Sequence, residues 1–106
     1  MKMLTEKNKK DLKPLYYGEE SLGLQNKAVV KFFTPWSNWT WWASEWDGND
    51  LFFGLVSGHE VELGYFTLSE LESVSGPYGL KIERDMHFEP TTLQELLDKH
   101  GGKRCS

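Results

Sequence analysis

The spacing of hydrophobic and polar positions changes period along this chain. Between Ala28 and Phe66 apolar residues fall into short blocks of strand length, separated by turn residues. The first block, Ala28–Phe33 (AVVKFF), is rich in β-branched and aromatic side chains, which suit a pleated surface. Pro35, Ser37 and Asn38 supply a turn, and Trp39–Trp46 (WTWWASEW) follows as a second strand. Strict alternation puts Trp39, Trp41, Ala43 and Glu45 on one face and Thr40, Trp42, Ser44 and Trp46 on the other. Tryptophan on both faces predicts a central strand covered on both sides. Asp47-Gly48-Asn49-Asp50 is a hairpin turn, because Gly and Asn tolerate positive φ. Leu51–Val56 is the third strand, Ser57-Gly58 the next turn, and Glu60–Phe66 the fourth, with Val61, Leu63 and Tyr65 on one face. Connections this short force antiparallel neighbours.

Flanking this stretch the period is helical. Thr5 caps a helix over residues 6–13, which Pro14 stops, and residues 18–27 read as loop. Thr67 and Glu70 form a capping box that opens a two-turn helix bearing Leu68, Leu71 and Val74, ended by Gly76-Pro77. Leu80–Glu83 and His87–Glu89 read as short strands. A final helix over 92–100 aligns Leu93, Leu96 and Leu97 on one stripe. The expected architecture is α+β: a single domain over 1–106, a four-stranded antiparallel β-meander with two or three short helices packed on it. Its core spans about 12–98, and residues 1–4 and 101–106 fray.

Composition sharpens this picture at two points. Aromatic residues make up 14% of the chain, and four of its five tryptophans (Trp36, Trp39, Trp41 and Trp42) fall within seven positions. The core is therefore expected to draw on that segment, with Trp36, beside Pro35, as the most exposed ring. Charge is segregated. Residues 33–98 carry twelve acids against only Lys81 and Arg84, whereas the ends are basic and bring the whole chain to −4. Such a field disfavours direct contact with nucleic-acid phosphates and favours a basic protein partner; the plainer reading is solubility. A single cysteine, Cys105, excludes an internal disulfide and points to a reducing compartment. The first residues hold no apolar stretch suited to a signal peptide, and no apolar run is long enough to span a bilayer, so a cytoplasmic location without membrane contact is expected.

Candidate chemistry is sparse. His59 with Glu60 and Glu62 offers metal-ligand and acid–base groups, but on a strand the two acids share a face that His59 does not. Glu83, Arg84, Asp85, His87 and Glu89 form the densest charge cluster of the body, either a recognition patch or an ion-paired turn. Phosphate-binding glycine fingerprints and nucleophile motifs are absent, and no cofactor is expected. The leading expectation is a non-enzymatic protein presenting Trp36, Glu45, Asp47, Asp50, Glu60, Glu62 and Asp85 to a basic partner. The alternative is a metal-dependent enzyme or accessory subunit using His59 and His87 with nearby carboxylates such as Glu60 and Glu83.

The segments LYYGEE, KFFTPWSNWTWW, DLFFGLVSGHEVELGYFTLSELESV, GPYGL and ERDMHFEPTTLQEL resemble a bacterial family known as domain of unknown function 2958. The resemblance runs from about Leu12 to Leu97. It implies a small single-domain protein of plasmids and integrating elements, and it supplies no reaction or ligand. In that setting small acidic proteins include inhibitors of host defence nucleases, of anti-CRISPR or anti-restriction type, a role that the acidic body would suit.

Overall fold

The computed structural model describes residues 3–15 and 23–100. In chain order it contains α1 (Glu6–Asp11), β1 (Lys27–Ala28), β2 (Val30–Phe33), β3 (Thr40–Trp46), β4 (Leu51–Ser57), β5 (Val61–Thr67), α2 (Leu68–Ser73), β6 (Glu83–Arg84), β7 (Thr91–Thr92) and α3 (Leu93–His100). Single 3-10 turns lie at Gly23–Gln25 and Pro77–Gly79. The main sheet has five antiparallel strands in the order β5-β4-β3-β2-β6, and β1 and β7 form a separate two-stranded ladder. The expected meander is therefore present as β2 to β5, with β6 added beside β2. Residues 86–90, expected in part as a strand, form a turn and an irregular stretch. The loop expected at 18–27 lies partly outside the described residues; its end is a 3-10 turn followed by β1. No helix is long and apolar enough to cross a membrane among the described residues.

Both short N-terminal caps form as the sequence requires. Thr5 and Asn8 close a reciprocal capping box on α1, and Thr67 and Glu70 close one on α2. A second latch holds α2: Asp50 Oδ1 accepts from the Ser69 backbone N–H (2.8 Å), and its carbonyl accepts from Leu68 N–H (2.8 Å).

The sheet buries both of its faces. One face, built on Val30, Phe32, Ala43, Phe52 and Phe66, is covered by Leu4 and Leu12 on either side of α1, by Leu71 of α2 and by Ile82. Leu4 is buried, so the packed body begins well before Leu12. The other face, built on Trp42 and Leu55, is covered by Leu93, Leu96 and Leu97 of α3. Of the five tryptophans only Trp42 is fully buried, at 2% exposure; the others are half-buried, with Trp36, Trp41 and Trp46 packed against the core of the first face.

Alternation along β3 fails at one place. Ala43 pairs with Gly54 but Glu45 pairs with Phe53, so Ser44 is an extra residue in a β-bulge. Beyond it the faces exchange. Glu45 joins the Trp42 face, and Trp46 crosses to the Phe32 face, where its ring stacks on Phe52, centroids 6.1 Å apart. The expected placement of Glu45 with Trp41, and of Trp46 with Trp42, is thus reversed. The bulge frees backbone groups that Lys13 takes up: Lys13 N–H donates to the Ser44 carbonyl (3.2 Å) and Trp46 N–H donates to the Lys13 carbonyl (2.8 Å). Opposite the bulge only glycine fits, since a Cβ at Gly54 would lie 1.8 Å from the Trp42 carbonyl oxygen.

Gly64, one strand further out, has nothing within 4 Å of its Cβ position. Gly54→Ala is expected to cost about 3 kcal/mol or more, whereas Gly64→Ala stays within about 0.5 kcal/mol. Denaturant unfolding of the two variants measures the difference; equal stabilities would refute the close approach at the bulge.

Candidate functional site

The sequence-selected acids separate into structural and free groups. Glu45 is buried at 3% exposure and its Oε2 accepts from Asn26 Nδ2 (3.0 Å). The Asn26 carbonyl in turn accepts from Leu93 N–H (3.0 Å), at the start of α3. Glu45 is therefore an internal tie between β3 and the segment that leads α3 onto the sheet, and it is not available to a partner. Asp47 is exposed but acts locally: its Oδ1 accepts from the backbone N–H groups of Asn49, Asp50 and Leu51, at 2.8, 2.9 and 3.1 Å. Those donors, Asn49 first, hold its carboxyl below the usual carboxylate range. Asp50 is occupied with Ser69. Asp85 faces Lys31 at 3.6 Å and accepts from His87 N–H (2.9 Å). Trp36 is half-buried against Gly76, where an added Cβ would come within 2.4 Å of its ring, so it does not stand free beside Pro35.

Glu60 and Glu62 are different. Both are exposed, and neither has an ion pair among the described residues. They flank the start of β5, the strand at one margin of the main sheet. Beside them, at the β4–β5 turn, Trp39 stacks on Trp41 (centroids 5.9 Å) and meets the His59 ring edge-on (5.4 Å). Gly58 makes this possible, because the Trp39 ring lies where a side chain would be, 2.3 Å from its Cβ position. The aromatic edge of the protein is thus Trp39 and Trp41. Further along β5, on its opposite face, Leu63 and Tyr65 are 39% and 48% exposed, with Tyr65 resting on Phe53 (5.1 Å).

A third feature has no signal in residue periodicity. The turn at 77–79 places Tyr78 in the left-handed region (φ 58°) with its side chain fully exposed, beside exposed Leu80. A β-bridge between Ser75 and Lys81 and the Gly76 N–H to Leu80 carbonyl bond (2.7 Å) hold this knuckle closed.

His59 and His87 do not converge. His59 sits on Trp39 at the β4–β5 turn, while His87 lines a cleft of about 790 Å³ on the Trp42 face with Lys31, Asp85, Glu89, Lys99 and His100. Glu83 lies in β6, paired with Phe33. Among the described residues no group of three His, Cys, Asp or Glu side chains could hold a metal ion. The constellation of His59 and His87 with shared carboxylates is therefore not assembled. Within the cleft, the His100 ring packs on Trp42 (4.7 Å). Burial, then the charges of Lys99 and Lys31, hold the His100 pKa below its ordinary value.

These features define a small α+β protein with a two-sided antiparallel sheet and an acidic, aromatic margin. Residues 3–98 match the family described as protein of unknown function (DUF2958), and the chain belongs to that family. No curated protein matches it, and no solved structure does.

Two outcomes follow from the site's geometry. Glu45→Ala leaves the Asn26 amide without its buried acceptor and is expected to cost about 2 kcal/mol, while Glu60→Ala changes stability by less than about 0.5 kcal/mol; denaturant unfolding compares them. Because the folded state lowers the His100 pKa below 6.5, the unfolded chain takes up that proton first, so its contribution is present above pH 6.5 and is lost as pH falls. Thermal unfolding between about pH 8 and about pH 5.5 is expected to show a smaller decline for His100→Phe, which keeps a ring on Trp42 without a proton to gain.

Proposed function

We propose that this protein is a non-enzymatic binding protein that presents an acidic, aromatic-edged surface to a basic protein partner. One observation carries the reading: Glu60 and Glu62, exposed and free of ion pairs among the described residues, stand at the same margin as the Trp39–Trp41 stack and the exposed Leu63 and Tyr65. Apolar rings give contact area and the free carboxylates attract and orient a cationic partner. Lys9 and Lys7 of α1 lie elsewhere, against the hairpin turn at Gly48 and the stretch around Arg84, and among the described residues no ion pair is made to Glu60 or Glu62. A narrower form of the proposal is that the partner is a host defence nuclease whose basic surface is blocked, in the cytoplasm; the net charge of residues 33–98 and the setting implied by the family resemblance support that narrower form.

The test is co-purification from the native host with wild-type and Glu60→Lys/Glu62→Lys baits at low and high salt. A partner retained by the wild type, lost to the charge reversal and released by salt fits the proposal, since exposed charges are screened within about 10 Å at 0.1 M salt. A partner held equally by both baits at all salt concentrations refutes it. Inhibition of a captured nuclease by the wild type, and not by the reversed variant, tests the narrower form.

A further inference from the structure

The two margins of the main sheet are unlike each other. At one, β6 contributes only Glu83 and Arg84, a strand too short to template another. At the other, β5 runs for seven residues, and its pairing with β4 is unbroken from Val61 to Thr67, with no shift of register. Its far side has no strand partner among the described residues. Proteins commonly blunt such an edge with a bulge, a proline, a lysine or very short length. β5 has no bulge, proline or lysine; its one charge is Glu62, joined by Glu60 just before it, which discourages like-charged partners and leaves basic ones admissible. Glu62, Leu63 and Tyr65 are all exposed.

We infer that β5 is a docking edge that accepts an extended segment of a partner by strand addition, and that the segment alternates basic with apolar residues. This rests on the basic-partner reading above and specifies how the partner is held. The chemistry follows from the two faces of β5. Glu62 lies on one face near the start of β5, with Glu60 in the turn just before it, so residues of an added strand beside these two carboxylates are Lys or Arg. Val61, Leu63 and Tyr65 share the other face, next to Leu55 and Phe53, so residues on that side must be apolar to extend the covered surface. Backbone hydrogen bonds to the open side of β5 supply the register-independent part of the attachment, and the alternate side chains supply selection. A second copy of this chain offers a poorer match in charge. Residues 33–98 carry a net −10, so two such bodies repel, and pairing centred on Glu62 would set two carboxylates directly opposite.

The experiment uses the full chain, isotopically labelled, and two synthetic peptides the length of β5. One alternates Lys with Val; the other has the same composition with its lysines grouped at one end. Amide chemical shifts and hydrogen exchange are followed on addition of each. The inference expects the alternating peptide to slow exchange of alternate amides within 61–67 by about tenfold or more and to bind at least about tenfold more tightly than its isomer. Leu63→Lys and Glu62→Lys, each checked for an unchanged fold by the dispersion of its spectrum, are expected to abolish the protection. Salt-sensitive binding of both peptides that maps to the Glu60 and Glu62 side chains with no slowing of exchange in β5 overturns the docking edge while leaving the acidic-surface reading standing; binding that maps instead to the cleft at His87 and Lys99 overturns the docking edge and counts against that reading as well. Absence of binding by either peptide also overturns the docking edge, and the co-purification above then judges the wider reading by itself. Concentration-dependent protection of β5 in the protein alone overturns the inference in favour of self-pairing.

Discussion

The bulge at Ser44 is the constraint on which both layers depend. A regular β3 would keep Trp46 on the α3 side and put Glu45 under the N-terminal segment. The extra residue instead delivers a large ring to Phe52 and a carboxylate to Asn26, one to each face. The same irregularity offers its loose backbone groups to Lys13, which fixes the chain after α1 against the sheet. Buried backbone groups need partners, so the N-terminal segment and the bulge satisfy each other. Close approach at Gly54 is the steric condition for this arrangement. One local departure from strand geometry thus links helix docking on both sides of the sheet.

Much of the fold can be read from residue order because its information is local. The meander from Val30 to Thr67 follows from alternation and from turn chemistry at Asp47-Gly48 and Ser57-Gly58, and both capping boxes are short-range patterns. What escapes is set by distant contacts. β6 and β1 are two residues each, below the length at which periodicity speaks, and they pair with β2 and β7 through tertiary packing alone. The bulge leaves no mark on WTWWASEW that a regular strand would lack; a glycine in the facing strand was its only trace. Once it is missed, Glu45 and Trp46 are put on the wrong sides, and a buried acid is taken for a surface one.

Charge shows the same division. Net charge is legible in composition, yet which acids remain free depends on what each carboxylate touches. Asp47 turns one oxygen to three turn amides, Asp50 bonds Ser69 and Asp85 faces Lys31, so of the acids expected to meet a partner Glu60 and Glu62 are left without an ion pair or side-chain hydrogen bond among the described residues. The aromatic signal is redistributed in a similar way. Trp36 is drawn over Gly76, while Trp39, which the strand pattern would bury, finds its seat across Gly58 at the rim. Glycines with no side chain to offer decide where two indoles come to rest.

The order in which the layers arrive along the chain carries a kinetic consequence. β2 to β5 are joined by tight turns and can zip together as successive hairpins, whereas the cover for the Trp42 face is the last element to be reached, α3. Until that helix docks, Trp42 and Leu55 lack their cover on a meander whose strands β2 to β5 precede it in the chain. On a ribosome the apolar side of the meander is therefore made before the eight-residue helix that shields it, so that shielding waits on the end of α3 emerging.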